Sequence, residues 1–150
     1  MKNLKQPSTL AVHAPHPPLT GYYASEQARR GFVGSLFDST AADYDRIDRL
    51  LALGSGPWYR GQALRRAGLK PGMRVVDIGV GTGLVAREAV KLVGDPALVA
   101  GVDPSVGMMA CANLPGVRLI EGRAEAIPFP DASFDFLSMG YALRHIGDLS

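Results

Sequence analysis

The spacing of apolar positions changes period once along this chain. Before residue 70 they recur at helical spacing. Tyr44, Ile47, Leu50 and Leu51 form one stripe, with Asp45, Arg46, Asp48 and Arg49 opposite. Thr40-Ala-Ala-Asp43 resembles a capping box, with Asp as a weaker partner than Glu. The pattern predicts a helix from Asp38, closed by Gly54. A second helix is predicted from Pro57, a favoured first helical position, to Gly68. After the turn signal Lys70-Pro71-Gly72, short apolar runs replace the stripe. Residues 75–78, 98–102, 117–120 and 134–139 read as strands. Residues 84–93 read as a helix with Arg87, Glu88 and Lys91 outward and Gly94 as its stop. Residues 105–113 read as a short helix. Strands alternating with helices predict an α/β fold with a mostly parallel, doubly wound sheet.

This pattern divides the chain into an arm over 1–30, a helical cap over 31–70 and a core over 71–150. The arm contains HAPHPPLTG (13–21), which is Pro-rich and without period. His13 and His16 lie in it and are read as solvated, so no metal site is expected. The chain stops at Ser150, soon after the fourth strand. A doubly wound nucleotide domain usually has five or more strands, so it reads as the first part of a longer one.

Composition changes this picture little. A net charge of +2 over 150 residues, with basic residues scattered, gives no reason to expect nucleic acid. No stretch approaches the ~18 apolar residues of a membrane span. Met1 to Leu10 has two lysines but no apolar core after them, so no secretory signal is read. The single Cys111 excludes an intrachain disulfide, fits a reducing cytoplasm, and reads as a small apolar residue on a helix.

The chemistry concentrates in VVDIGVGTG (75–83), at a strand-to-helix turn. Glycines there permit positive φ and close approach of a ligand to the backbone. One frame along, Gly81 to Ala86 also fits the dinucleotide fingerprint G-x-G-x-x-G/A. Asp77 separates the two readings. A carboxylate two residues before the first glycine repels a pyrophosphate and favours a ligand with a cationic centre, such as S-adenosylmethionine. Asp103 ends the second predicted strand, where a carboxylate can accept from both ribose hydroxyls. Pro104 then starts a helix whose Met108 or Met109 can pack on an adenine face. Arg123, Ala124 and Glu125 follow the third strand, at the carboxyl edge of the sheet where such folds bind ligands.

Together these segments resemble the class I methyltransferases of ubiquinone and menaquinone biosynthesis (UbiE-type), from about Phe37 to Ser150. Phe37-Asp-Ser with Tyr44-Asp45 is similar to that family's N-terminal segment, and the Gly54 and Trp58 region also matches. VVDIGVGTG, GVDPSVGMM, AEAIPFPDASFD and YALRH resemble its later motifs. The resemblance implies a Rossmann-like core of seven strands, of which the first four are present here. It implies S-adenosylmethionine as methyl donor and C-methylation of a quinol ring with a prenyl tail. By motif match, Gly79, Gly81, Thr82 and Gly83 fall on the loop for the methionine end, Asp103 on the ribose acid, and Arg123 and Ala124 on the adenine-contacting pair. Gly140, at the end of the fourth strand, is placed in the same cofactor set and replaces a polar residue of the family. Arg123 stands where the family has Asn or Asp, and an Arg cannot accept a bond from the adenine amino group. His145 stands where it has Asn.

Ring C-methylation requires a phenolic proton to leave, so the candidates for catalysis are polar groups near the donor: Arg144, His145 and Tyr44. Arg144 can lower the pKa of a phenol or a bound water, and His145 can take the proton near neutral pH. The expected partner is a small aromatic or quinol, with peripheral membrane contact through a lipid substrate and self-association into a homo-oligomer. Three other readings stay open: methylation of a different small molecule, a dinucleotide oxidoreductase, and a non-catalytic cofactor-binding or assembly subunit.

Overall fold

The computed structural model describes residues 22–140 and 142. Two helices come first, α1 (Glu26–Leu51) and α2 (Gly56–Arg66). They are followed by β1 (Val75–Ile78), α3 (Leu84–Val93), β2 (Val99–Asp103), α4 (Val106–Ala110), β3 (Arg118–Glu121) and β4 (Phe136–Ser138). All four strands are parallel, in the order β3-β2-β1-β4. The chain steps outward from β1 to β3, then crosses back to place β4 on the other side of β1. That reversal opens a crevice at the carboxyl end of β1, where open α/β sheets bind ligands.

The apolar runs form the two central strands, β1 and β2, because they are covered on both faces. Every residue of β1 and β2 is buried. On one face Val75, Val80 and Val99 pack with Leu64 of α2 and Ala86, Ala89 and Val93 of α3. On the other, Val76, Ile78 and Val102 pack against Phe129, Phe134 and Met139. Helix α3 spans the predicted residues, and Gly94 caps it with φ 89°. β4 is locked beside β1 by a two-pronged ion pair. Arg74 Nη2 donates to Asp135 Oδ1 at 3.0 Å and its Nε to Oδ2 at 3.2 Å, while the Arg74 backbone N–H also donates to Oδ2 at 2.9 Å. These bonds hold the Asp135 carboxyl down at about 2.

Three expectations need correction. The first helix begins at Glu26, inside the segment read as an arm, where Ser25 caps it by accepting the Ala28 N–H at 3.1 Å. Thr40 is therefore mid-helix; its hydroxyl donates to the Leu36 carbonyl at 2.9 Å and caps nothing. Beyond Tyr44, which is partly buried, the predicted stripe also faces outward. Ile47, Leu50 and Leu51 are 52%, 75% and 79% exposed. The side of α1 that meets the core carries Asp38, Ala41, Asp45 and Asp48, spaced i, i+3, i+7 and i+10. That face meets loop hydroxyls, a loop N–H and arginines rather than an apolar layer, so carboxylates suit it. Cys111 is an exposed free thiol just after α4, not a packed one.

Gly101 lies where β2 passes under Val80 and beside Leu119. A Cβ there would stand 2.8 Å from Leu119 Cδ2 and 2.9 Å from Val80 Cβ. Gly101→Ala is expected to destabilise the fold by about 1–3 kcal/mol through overpacking. Urea unfolding measures this, and unchanged stability would show that β2 and β3 separate more easily than the packing implies.

Candidate functional site

The crevice is a cleft of about 710 Å³ across the carboxyl ends of the strands. Its floor is the loop from β1 to α3. Gly79, Gly81 and Gly83 have φ of 69°, 52° and 84°, which side chains other than hydrogen rarely allow. Gly79, Gly81 and Thr82 line the cleft. Gly83 does not; a Cβ there would lie 2.5 Å from Leu114 Cδ1, so its role is packing.

Asp103 ties two loops together. Its Oδ2 accepts the Gly81 N–H at 2.8 Å and its Oδ1 accepts the Ser105 N–H at 2.8 Å. A carboxylate has about four acceptor positions, so two remain for a ligand diol. Burial raises its pKa, against the two backbone bonds, and the Asp38 charge adds to the rise.

Asp77 also lines the cleft, but it is bonded from within. Its Oδ1 accepts the Ser138 hydroxyl at 2.7 Å, joining β1 to β4. It also accepts the Ala86 N–H in the first turn of α3, a turn whose own cap, Gly83, has no side chain to offer. Burial lifts the Asp77 carboxyl to about 7; the Ser138 and Ala86 bonds oppose this, and the Asp103 charge reinforces it.

Helix α1 closes the cleft from above. Asp38 Oδ1 accepts the Ser105 hydroxyl and, at 3.1 Å, the Gly107 N–H. Asp45 accepts from the Thr82 hydroxyl and, at 2.8 Å, from Arg87, which also donates to the Thr82 carbonyl at 2.7 Å. One helix thus grips both ligand-facing loops, two turns apart. Asp48 accepts from Arg60 of α2, and both line the cleft. The sequence reading missed these roles. Their signal was present, since Asp38 and Asp45 stand seven residues apart and share one helix face.

The remaining candidates divide clearly. Pro104, Met108, Arg123, Ala124, Glu125, Gly140 and Tyr44 all line the cleft. Met108 is the methionine that reaches it, whereas Met109 packs against the main core. Arg123 Nε lies 3.8 Å from Glu125 Oε2, so the arginine pairs with its neighbour at the cleft edge. Arg144 and His145, and also His13 and His16, lie outside the described residues. Among the described residues no cluster of acidic, His or Cys side chains could hold a metal, and no helix is long and apolar enough to cross a membrane.

The profile of the ubiE/COQ5 methyltransferase family matches residues 23–150. The chain belongs to this family. A demethylmenaquinone methyltransferase of Staphylococcus aureus is 30% identical over 130 residues, covering 83% of this chain and 54% of that protein. A ubiquinone/menaquinone biosynthesis C-methyltransferase of Xanthomonas axonopodis is 33% identical over 128 residues, covering 80% and 51%. The chain therefore spans about half the length of the curated relatives it matches. Among solved structures, a SAM-dependent methyltransferase of Thermotoga maritima, described as a possible histamine N-methyltransferase, superposes with a TM-score of 0.52 at 34% identity, over 70% of this chain and 45% of that one. A putative S-adenosylmethionine-dependent methyltransferase of Methanococcus maripaludis gives 0.63 at 22% identity, over 75% and 53%, and shares the fold. The expected class I, Rossmann-like methyltransferase fold is thus the observed one.

The raised Asp77 carboxyl gives a signed pH dependence. The folded state holds its proton up to about 7, whereas the unfolded chain releases it near the ordinary 3.8. Between these values the folded state binds more protons, so this group lowers stability as pH rises and stops doing so above about 7. Asp77→Asn should flatten that fall. Urea unfolding at pH 5 and pH 8 measures it, and an identical difference in both proteins would mean that Asp77 ionises freely in the fold.

Proposed function

We propose that this protein transfers a methyl group from S-adenosylmethionine to a ring carbon of a quinol-type aromatic. The observation that carries the cofactor half is the Asp103 arrangement: a carboxylate held by two loop N–H groups with acceptor capacity left over beside a glycine floor. A cleft of about 710 Å³ is large enough for a nucleoside with an amino-acid tail. Its polar floor carries Asp103 and, once ionised, Asp77, which suits a sulfonium and an ammonium and opposes a pyrophosphate. The acceptor half is supported by the two relatives named for menaquinone or ubiquinone biosynthesis.

The bound cofactor supplies a methyl group already activated on sulfur. The protein's task is then to align the acceptor carbon, exclude water and take up the phenolic proton. Asp103 holds the ribose, and Arg123 with Ala124 and Glu125 borders the adenine. In this reading Gly79 to Thr82 and Gly140 frame the methionine end, with Met108 against the nucleoside. Tyr44 lines the same cleft and is the described candidate for contact with the acceptor hydroxyl. Arg144 would lower the phenol pKa and His145 would receive the proton.

The same reading places the protein in a reducing, cytoplasmic setting, consistent with one exposed cysteine. Leu50, Leu51, Leu53 and Trp58 are exposed apolar residues of the helical cap, close in sequence, and are read as one rim. That rim supports peripheral contact with the membrane that would hold a prenylated acceptor. Self-association into a homo-oligomer is part of the proposal, as is the division into arm, cap and core, with the cap taken from Glu26.

Asp103→Ala should weaken adenosylhomocysteine binding tenfold or more, since two charge-assisted bonds from the ribose hydroxyls are worth about 2–4 kcal/mol together. Unchanged affinity in the folded variant removes Asp103 from the site. Arg144→Ala and His145→Ala should each lower turnover in the full-length protein while leaving adenosylhomocysteine affinity within twofold. Full activity in both would move the proton transfer to other groups.

A further inference from the structure

The proposed cofactor carries a carboxylate at its amino-acid end, and the acidic floor gives it no partner. The geometry points to Arg60 as the residue that binds this carboxylate, held in place by Asp48. The inference rests on the adenosylmethionine reading above and assigns a partner to a part of the ligand which that reading leaves open.

The position follows from topology. β3 and β4 are the two outer strands, with β2 and β1 between them. Arg123 and Ala124 follow β3, Asp103 ends β2, the glycine loop follows β1, and Gly140 follows β4. A nucleoside with its adenine at Arg123 and its ribose at Asp103 therefore points its amino-acid tail toward the β1–β4 end. Arg60 stands at that end. It lines the cleft together with Asp48, Val85 and Gly140, and the same four residues line a neighbouring cavity between α2 and β4. A Cβ at Gly140 would lie 2.8 Å from Val85 Cγ2, so glycine suits the contact beside Val85.

The chemistry of the side chain agrees. Its Nη2 donates to Asp48, and the side chain is 12% exposed. Its Nη1 is enclosed and has no hydrogen-bond partner among the described residues. A guanidinium offers five N–H donors in a fixed fork and pairs best with a planar carboxylate. Among the described residues three arginines line the cleft, Arg29, Arg60 and Arg123. Arg123 belongs to the adenine end, beside Glu125. Arg29 is already engaged in another interaction. Arg87 has an unpartnered Nε but does not line the cleft. Among the described residues, Arg60 alone combines the right end of the cleft with a buried nitrogen that lacks an acceptor. Asp48 fixes the guanidinium from α1, so the helical cap contributes directly to ligand recognition.

The test compares two ligands that differ at this end. Adenosylhomocysteine has the amino-acid tail; 5′-methylthioadenosine has the same nucleoside without it. Calorimetry on the full-length protein should show adenosylhomocysteine binding more tightly to the wild type. Arg60→Gln should lose tenfold or more for adenosylhomocysteine while 5′-methylthioadenosine changes by less than twofold. Arg60→Lys keeps the charge and the stem, guards against misfolding, and should recover part of the loss. Equal losses for both ligands would make Arg60 a structural residue and overturn the assignment, as would unchanged adenosylhomocysteine affinity in both variants. Failure of the wild type to bind either ligand would instead defeat the adenosylmethionine reading, and this inference with it.

Discussion

Asp103 is the constraint on which the cleft depends. Each of its carboxylate oxygens accepts a backbone N–H from a different loop, Gly81 on one side and Ser105 on the other. The glycine loop follows β1 and the Ser105 turn follows β2, so a single side chain sets the distance between two strand ends. Bonds from fixed N–H groups to an ionised acceptor are the stronger kind, and they persist only while water is kept from competing. Burial supplies that shelter and also raises the Asp103 pKa. The group that shapes the cleft is therefore also one that gains from a ligand donating hydroxyls to it.

The helical cap completes this arrangement by an unusual use of charge. Helices usually meet a core through apolar stripes. Here α1 meets the two loops through Asp38 and Asp45, which accept from Ser105, Gly107, Thr82 and Arg87. Asp48 extends the same face to Arg60. Bonds of this type contribute modestly to net stability but cost much more when one buried partner is left unmade. They consequently fix how the cap sits over the loops more than they hold the fold together. The apolar residues displaced to the outer side of α1, Ile47, Leu50 and Leu51, are left exposed.

Much of the fold was legible because its signals are local. The run 75–78, the helix 84–93 and Gly94 as its stop lie where periodicity and turn chemistry put them. The other strands are displaced by a residue or two, because pairing partners rather than propensity decide where a strand ends. The orientation of α1 was not legible. A periodic pattern identifies the apolar side of a helix, and only the partner surface decides whether that side faces inward. The site shows the same division. The glycine loop, Asp103, Pro104 and the 123–125 segment carry chemical signatures in the sequence and line the cleft. The choice of Met108 over Met109, the turning of Gly83 toward Leu114 and the pairing of Asp48 with Arg60 depend on tertiary geometry alone.

The central claim is that the glycine loop and its carboxylates select a nucleoside with a cationic tail over a dinucleotide. Parallel calorimetric titrations of the full-length protein with adenosylhomocysteine and with NAD test it most directly. The account predicts saturable binding of adenosylhomocysteine and no detectable heat from NAD. Binding of NAD as tight as or tighter than adenosylhomocysteine would contradict it, because a pyrophosphate would then be lying beside Asp77 and Asp103.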